Sequence, residues 1–261
     1  MNAPLNIALI IGCPRSGTSI VGEFLAAHEA ILYAFEAHNV WESVPGPRDG
    51  SHRMTADYAT PQVVNFFRRA FAGVLQTRPD KKIFAEKCPR NSLRVPYIRR
   101  IFPEVKLIHV VRDGRDVTCS LRPGLENGWR HARPPNWQQL ARESLVTRCA
   151  KAWRDIVSIA LDDLAEIPHF QLRYEDLLSS PLAKGRELCG YLGVPPSRSM
   201  DAFAKNIQDP TQGSYHAKFQ SNWYRDDHRT RIGRWKENLT PEQQEEIHQI
   251  LTPTLQRLGY L

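Results

Sequence analysis

The stretch that decides the fold reads NIALIIGCPRSGTS and covers residues 6–19. Its first half, residues 6–12, is a continuous apolar run ending in glycine, which predicts a buried central strand of a parallel sheet. Apolar residues then recur at helical spacing over residues 20–27. The stretch therefore predicts a strand, a glycine-containing loop and a helix in succession.

The same alternation continues along the next part of the chain. Residues 82–86 and 105–111 predict two more strands, the second of them strongly buried. A helix is predicted over residues 93–102, although Pro96 weakens it because proline removes a backbone donor. Another helix opens near Asp113.

The second half predicts more helices and one strand. A long amphipathic helix is predicted over residues 137–164, a strand over 169–174 and a helix over 181–192. Thr240 is the predicted N-cap of a last helix. This order predicts an α/β fold, a P-loop-like three-layer sandwich with a central parallel sheet flanked by helices.

Length and composition indicate one domain. The chain has 261 residues, 41% of them hydrophobic, which suits a single domain over residues 1–261. We expect a nucleotide-binding core at about 6–193, then a closing loop and C-terminal helix at about 208–261. The closing loop is predicted because residues 208–238 are polar, aromatic and without clear periodicity.

The charge and the cysteine content indicate the class of ligand and the cellular compartment. A net charge of +7 favours anionic ligands, but the basic residues form no block typical of a nucleic-acid-binding tail. We expect no membrane span, because no apolar run approaches about 18 residues. The five cysteines form no CxxC pair, which predicts neither a zinc site nor a disulfide framework and fits a cytoplasmic location.

The loop between the first strand and the first helix predicts an anion site. Backbone N–H groups and the helix dipole converge on such a turn. Compared with the triphosphate-binding template GxxxxGK[ST], the glycine spacing is kept but Thr18 stands at the lysine position. This favours a ligand with a 5′-phosphate and no β,γ-diphosphate, with Arg15 beside the reacting group. A plain glycine-containing turn is the structural alternative.

The loop sequence CPRSGTS at residues 13–19 resembles the 5′-phosphosulfate-binding loop of the sulfotransferase superfamily, in the PRSGT form of its bacterial and Golgi-type members. The resemblance implies that the chain uses 3′-phosphoadenosine-5′-phosphosulfate (PAPS) and releases adenosine 3′,5′-bisphosphate (PAP). The residues that would bind the 5′ end are Pro14, Arg15, Ser16, Gly17, Thr18 and Ser19.

A second anion site is expected near Arg112, at the carboxyl end of the strongest strand. The segment HVVRDGRDVTCSL resembles the family motif in which a strand-end Arg and a Ser eight residues later hold the 3′-phosphate. These residues are Arg112 and Ser120. Pairing of Arg112 with Asp113 or Asp116 is the alternative reading of the pattern.

Two later segments extend the resemblance. RYEDL resembles an element in which the tyrosine, here Tyr174, lies near the adenine. IGRWK resembles the late loop that closes over the nucleotide, which implies roles for Gly233, Arg234 and Trp235. Tyrosine and tryptophan are also ordinary core or rim residues.

Sulfuryl transfer requires positioning, charge neutralisation and a base. Arg15 and Lys87 are the cations expected to meet charge on the leaving phosphate, and Lys87 matches a family lysine that contacts the transferring group. The segment EKCP lacks the histidine that cytosolic members place in a KTHLP-like segment. Golgi-type members place a glutamate after the first helix, and Glu36 falls at the matching distance. Glu36 is the expected base, with its pKa raised by Phe35 and Trp41, and His38 is the reserve.

The resemblance implies a PAPS-dependent sulfotransferase that acts on a hydroxyl or amine of a carbohydrate, lipid, phenol or peptide. No metal and no nucleic acid are expected as partners. The acceptor should contact residues 37–75, 122–137 and 208–230. A P-loop small-molecule kinase and a nonenzymatic nucleotide- or RNA-binding protein are the alternatives.

Overall fold

The computed structural model describes residues 5–126, 131–208 and 228–261. Five strands form one parallel sheet in the order β2-β3-β1-β4-β5. The strands are β1 (Ile7–Ile11), β2 (Ile31–Phe35), β3 (Ile83–Lys87), β4 (Lys106–Val111) and β5 (His169–Arg173).

Helices connect the strands and follow the last one. They are α1 (Thr18–Ala26), α2 (His38–Trp41), α3 (Pro61–Gln76), α4 (Val95–Ile101), α5 (Gly114–Glu126), α6 (Trp137–Leu140), α7 (Leu145–Leu164), α8 (Tyr174–Ser179), α9 (Pro181–Leu192), α10 (Arg198–Gln208), α11 (Trp235–Asn238) and α12 (Pro241–Arg257).

The core lies on both faces of the sheet. Alternate residues of β1 point to opposite faces, so Ala8 and Ile10 pack with α1, α9 and α10, whereas Ile7, Leu9 and Ile11 pack with α3 and α4. A third apolar cluster joins α5, α7 and α12 beyond the end of β4. The predicted three-layer α/β sandwich is confirmed.

The strands predicted from residues 6–12, 82–86, 105–111 and 169–174 are all present. The edge strand β2 was not predicted, and neither were α3 and α10. The predicted single helix over residues 137–164 is wrong, because Ser144 caps a new helix by accepting a hydrogen bond from the N–H of Thr147 at 3.3 Å.

The remaining expectations meet the structure only in part. Pro96 lies in the first turn of α4, where proline is tolerated, after a 3₁₀ turn at Pro89–Leu93. Thr240 caps α12 as predicted. Residues 209–227 of the expected closing loop lie outside the described residues. No helix in the described part of the chain combines the length and apolarity needed to cross a bilayer.

Gly12 directly follows β1, at a point where the backbone of β4 comes close. A Cβ atom at Gly12 would lie 2.4 Å from the carbonyl oxygen of Val110. Since that oxygen belongs to the backbone of the neighbouring strand, it cannot rotate away as a side chain would.

We therefore predict that Gly12→Ala lowers the free energy of unfolding by about 1–3 kcal/mol, the usual effect of overpacking. Gly73→Ala is the matched control, because a Cβ there meets nothing within 4 Å in the interior of α3 and should stabilise by about 0.5–1 kcal/mol. Urea denaturation measures both, and a Gly12 variant as stable as the parent would contradict the packing described.

Candidate active site

The carboxyl ends of the five strands carry the candidate residues to one edge of the sheet. In sheet order, Glu36 follows β2, Lys87 is the last residue of β3, and the phosphate loop follows β1. Arg112 then follows β4, and Tyr174 follows β5. Ligands of open parallel sheets bind at this edge. The candidates are thus neighbours in space although they span most of the chain.

The phosphate loop is shaped by close packing. Gly17 has a φ of 93° and precedes α1, and a Cβ there would lie 2.3 Å from the ring of Tyr174. The N–H of Gly12 donates to Ser92 Oγ at 2.7 Å. The first N–H groups of α1 have no intrahelical acceptor, so the loop can receive an anion. Thr18, at the lysine position of the triphosphate template, is 3% exposed.

The two expected anion sites form one network. Arg112 donates from Nη1 to the carbonyl oxygen of Arg15 at 3.2 Å, and its guanidinium lies 4.6 Å from the ring centroid of Tyr174. Ser120 accepts a hydrogen bond from Arg15 Nε at 3.0 Å. Ser120 therefore holds the Arg15 side chain of the first site, while Arg112 holds the backbone of the phosphate loop at the same residue.

Within the described ranges, two buried polar atoms of this network have no hydrogen-bond partner. Ser16 Oγ and Arg112 Nε are buried and make no hydrogen bond among the described residues. Buried polar groups are almost always satisfied, so both atoms suit a phosphorylated ligand. Tyr174 is 1% exposed, and its ring packs on Gly17 and Arg112.

Arg112 also contacts the late loop. It donates from Nη2 to the carbonyl oxygen of Arg231 at 2.6 Å. Asp116, fully buried, accepts from the N–H of Gly233 at 2.8 Å and of Trp235 at 3.2 Å, and lies 3.9 Å from Arg112. Sequence reasoning considered Asp116 only as a pairing partner of Arg112. The spacing of four residues between Arg112 and Asp116 gave no signal that Asp116 also holds the late loop.

Arg115 connects the end of β4 to the late loop. Asp113 pairs with Arg115 at 2.7 Å rather than with Arg112, and Arg115 stacks over Trp235 at 4.7 Å. Arg234 is the N-cap residue of α11 and is half-buried. Gly233 and Trp235 are thus held by Asp116, which lies near Arg112. The role of Gly233, Arg234 and Trp235 toward a nucleotide stays a prediction.

Glu36 sits in a hydrogen-bonded turn after β2. Its backbone has a φ of 45°, in the left-handed region, and its N–H donates to the carbonyl oxygen of Lys87 at 2.9 Å. Its carboxylate contacts Lys87 through Oε1 and His38 Nε2 through Oε2, the latter at 2.9 Å. Lys87 is itself buried and lies 3.7 Å from the ring centroid of Phe35.

The expected rise in the pKa of Glu36 is wrong. Burial does raise that pKa, but the hydrogen bonds from His38 and Lys87 and the charge of Lys87 outweigh it and lower the pKa to about 2. Phe35 is 50% exposed, and its ring lies against Lys87. The sequence gave no indication of which cation would pair with the glutamate, and its role as the base stays a prediction.

Behind this turn lies a second carboxyl group that the sequence did not single out. Glu86 is fully buried in β3 and accepts from the N–H of Ala37 at 3.1 Å and from Asn91 Nδ2 at 3.2 Å. Burial raises its pKa to about 7. Glu86 therefore fixes the turn that presents Glu36 and His38.

The candidate reacting residues line one cleft of about 120 Å³. His131, which sequence reasoning missed, also lines it, and burial and the charge of Arg15 lower its pKa to about 4. Trp41 and Phe67, expected near an acceptor, are instead core residues. The cleft is lined by Pro14, Arg15, Thr18, Ser19, Glu36, His38, Lys87, Pro89, Arg90, His131 and Ala132.

No group of three or more His, Cys, Asp or Glu side chains in the described ranges is arranged to hold a metal ion. The absence of a metal from the reaction stays a prediction.

A family model described as Sulfotransferase family matches residues 8–198, well over half of the chain. The chain belongs to the sulfotransferase family. The enzyme is similar to human carbohydrate sulfotransferase 1, with 24% identity over 284 aligned residues. The match covers 79% of this chain and 69% of the relative. This match favours the sulfotransferase reading over the kinase and the nonenzymatic binding protein.

Solved sulfotransferase structures share the fold of this sulfotransferase. A sulfotransferase domain from the curacin biosynthetic pathway superposes with a TM-score of 0.64 and 19% identity, covering 97% of this chain and 98% of that one. A mouse sulfotransferase complexed with PAP gives a TM-score of 0.59 and 14% identity, covering 98% of this chain and 86% of that one.

The Glu36 contacts predict a pH dependence of stability. The folded-state pKa of about 2 lies below the ordinary 4.5, so the ionised carboxylate stabilises the fold above 4.5 and this contribution is lost as the pH falls toward 2. Between pH 5 and pH 2 the parent should lose roughly 2–3 kcal/mol more than Glu36→Gln does. Denaturant unfolding across this range measures the difference, with Glu237→Gln on the exposed surface of α11 as control. Parallel curves for parent and Glu36→Gln would contradict the pairing.

Proposed function

We propose that this enzyme transfers a sulfuryl group from PAPS to a hydroxyl or amine of an acceptor and releases PAP. The observation that carries the proposal is the Arg112 guanidinium, which reaches from the end of β4 to the phosphate loop and keeps a buried Nε without a hydrogen-bond partner in the described part of the chain. One edge of the sheet thereby offers two adjacent anion sites. A nucleotide phosphorylated at both its 3′ and 5′ positions matches that arrangement.

The loop residues and Arg112 would hold the two ends of the nucleotide. Pro14 to Ser19 suit the 5′ end, because Ser16 Oγ and the first N–H groups of α1 can donate there. Arg112 suits the 3′-phosphate, with Gly233 and Trp235 held nearby by Asp116. The PAP complex of the mouse sulfotransferase is consistent with this nucleotide. When bound, PAPS supplies the activated sulfuryl group.

Charge neutralisation at the reacting end falls to Arg15 and Lys87. Both line the cleft, and Arg15 is steered by its hydrogen bond to Ser120. Preorganised cations of this kind stabilise charge on a leaving oxygen without reorganisation. Lys87 is the nearer cation to Glu36, so its position also sets the basicity of that carboxylate.

Glu36 is the proposed base, with His38 hydrogen-bonded to its second oxygen. While Lys87 contacts it, the carboxylate is a weak base, because its pKa is about 2. Movement of Lys87 toward the reacting group would raise that pKa and leave the Glu36–His38 pair to take the acceptor proton. The buried Glu86 keeps the turn in place during this exchange.

Arg112→Ala tests the nucleotide. Calorimetric titration with PAP and with AMP should show a strong preference for PAP in the parent, and the variant should lose most of it, by about 10-fold or more. Lys184→Gln, on α9, is the control and should keep the preference. Equal binding of PAP and AMP by the parent would contradict the proposed donor.

Glu36→Gln tests the base. The variant should bind PAP normally, since the loop and Arg112 are unchanged, and its turnover with a labelled sulfate donor should fall roughly 10²-fold or more. Full activity in Glu36→Gln would transfer the role to His38 or to another group.

A further inference from the structure

Three arginines lie close enough for their charges to interact on the side of the cleft that contains Arg90, and Arg90 is the one of the three that lines the cleft. Arg90 belongs to the 3₁₀ turn after β3, and Arg94 follows that turn and donates from Nε to the carbonyl oxygen of His52 at 3.4 Å. His52 in turn pairs with Arg133: its N–H donates to the Arg133 carbonyl oxygen at 2.8 Å, and its Nδ1 accepts from the Arg133 N–H at 2.8 Å. Arg133 follows Ala132, which lines the cleft.

Of the three arginines, Arg90 alone forms an ion pair with a carboxylate among the described residues. Arg90 pairs with Glu42, an exposed residue of the surface. Arg94 is 4% exposed and its Nη1 has no hydrogen-bond partner in the described part of the chain. The same holds for the buried Nε of Arg133, whose guanidinium lies 5.1 Å from the ring centroid of Trp137.

Burying several guanidinium groups close together costs free energy unless an anion binds them. Removing a guanidinium from water costs several kcal/mol unless an opposite charge and hydrogen bonds replace the water. Burial and the charges of Arg94 and Arg133 lower the pKa of Arg90. The two imidazoles nearby do not add to the charge at neutral pH, because burial and neighbouring arginines lower the pKa of His52 to about 3 and that of His131 to about 4.

The proposed donor does not use this charge. Arg15 and Lys87 face the reacting end of the nucleotide, and the charge of Lys87 is matched by Glu36. Arg90, whose partner Glu42 is exposed, and Arg133 are therefore the cations that we assign to the second substrate. Guanidinium groups bind carboxylate, phosphate and sulfate oxygens with paired N–H donors.

We propose that the acceptor carries an anionic group next to the hydroxyl or amine that is sulfated, and that Arg90 and Arg133 bind this group. The proposal rests on the proposed function, because it concerns the second substrate of the same cleft. Arg94 supports the site from behind through His52. The acceptor class is thus an acidic or already esterified sugar or phenol rather than a neutral one.

The test uses matched probes on the protein saturated with PAP, so that the nucleotide site is filled. The three pairs are methyl glucuronide and methyl glucoside, N-acetylglucosamine 6-sulfate and N-acetylglucosamine, and 4-hydroxyphenylacetate and tyrosol. Calorimetry should show the anionic member of at least one pair binding about 10-fold or more tightly than its neutral partner. This preference should weaken as salt is added.

Arg90→Gln and Arg133→Gln should each remove most of the preference while PAP affinity stays unchanged. Arg78→Gln is the control, since Arg78 is exposed and pairs with Asp80 on the loop before β3. The pair that shows the preference distinguishes carboxylate from sulfate and sugar from phenol.

Two results would overturn the inference without affecting the proposed function. One is equal binding within every pair, or no binding of any anionic probe at about 10 mM, by protein that binds PAP. The other is a preference that survives in both Arg90→Gln and Arg133→Gln. Failure of the parent to bind PAP at all would instead contradict the proposed function.

Discussion

The site depends on the hydrogen bond from Arg112 to the carbonyl oxygen of Arg15. It ties the end of β4 to the loop that follows β1, while the same guanidinium donates to Arg231 in the late loop. Tyr174 packs against Gly17 and Arg112 and closes the network from the end of β5. One buried cation thus sets the position of three segments that are far apart in sequence.

A second constraint governs the reacting end of the cleft. The left-handed turn at Glu36 is held by its N–H bond to Lys87 and by Glu86 from behind. The side chains of Glu36 and Lys87 then neutralise each other. Because a buried pair of this kind keeps the carboxylate ionised but weakly basic, the position of Lys87 couples charge neutralisation to proton removal.

The sequence predicted the parts of the fold that carry strong local signals. The apolar runs of β1 and β4 and the glycine spacing of the phosphate loop each decide their structure within about ten residues. The edge strand β2 was missed because its five apolar residues follow closely on the apolar pattern of α1, and so short a run cannot be told from a helical segment by periodicity alone. The break before α7 was missed because one capping serine, Ser144, interrupts an otherwise amphipathic pattern.

The candidate site was predictable to the extent that motifs fall at strand ends. Arg15, Lys87 and Arg112 could be placed because parallel strands deliver their carboxyl ends to one edge. Glu36 was placed by the family resemblance alone, because the strand before it was not predicted. Contacts between distant segments could not be read, since nothing local marks the Glu36–Lys87 pair or the gathering of Arg94 and Arg133 around His52. These contacts decide pKa and charge, and they arise only from the tertiary fold.

The most direct test of the central claim is a crystal structure of the enzyme with PAP. The account predicts the 5′-phosphate on the loop of residues 12–19, within hydrogen-bond distance of Ser16 Oγ, and the 3′-phosphate on Arg112. A nucleotide bound elsewhere, or bound at the loop with its 3′-phosphate away from Arg112, would contradict it.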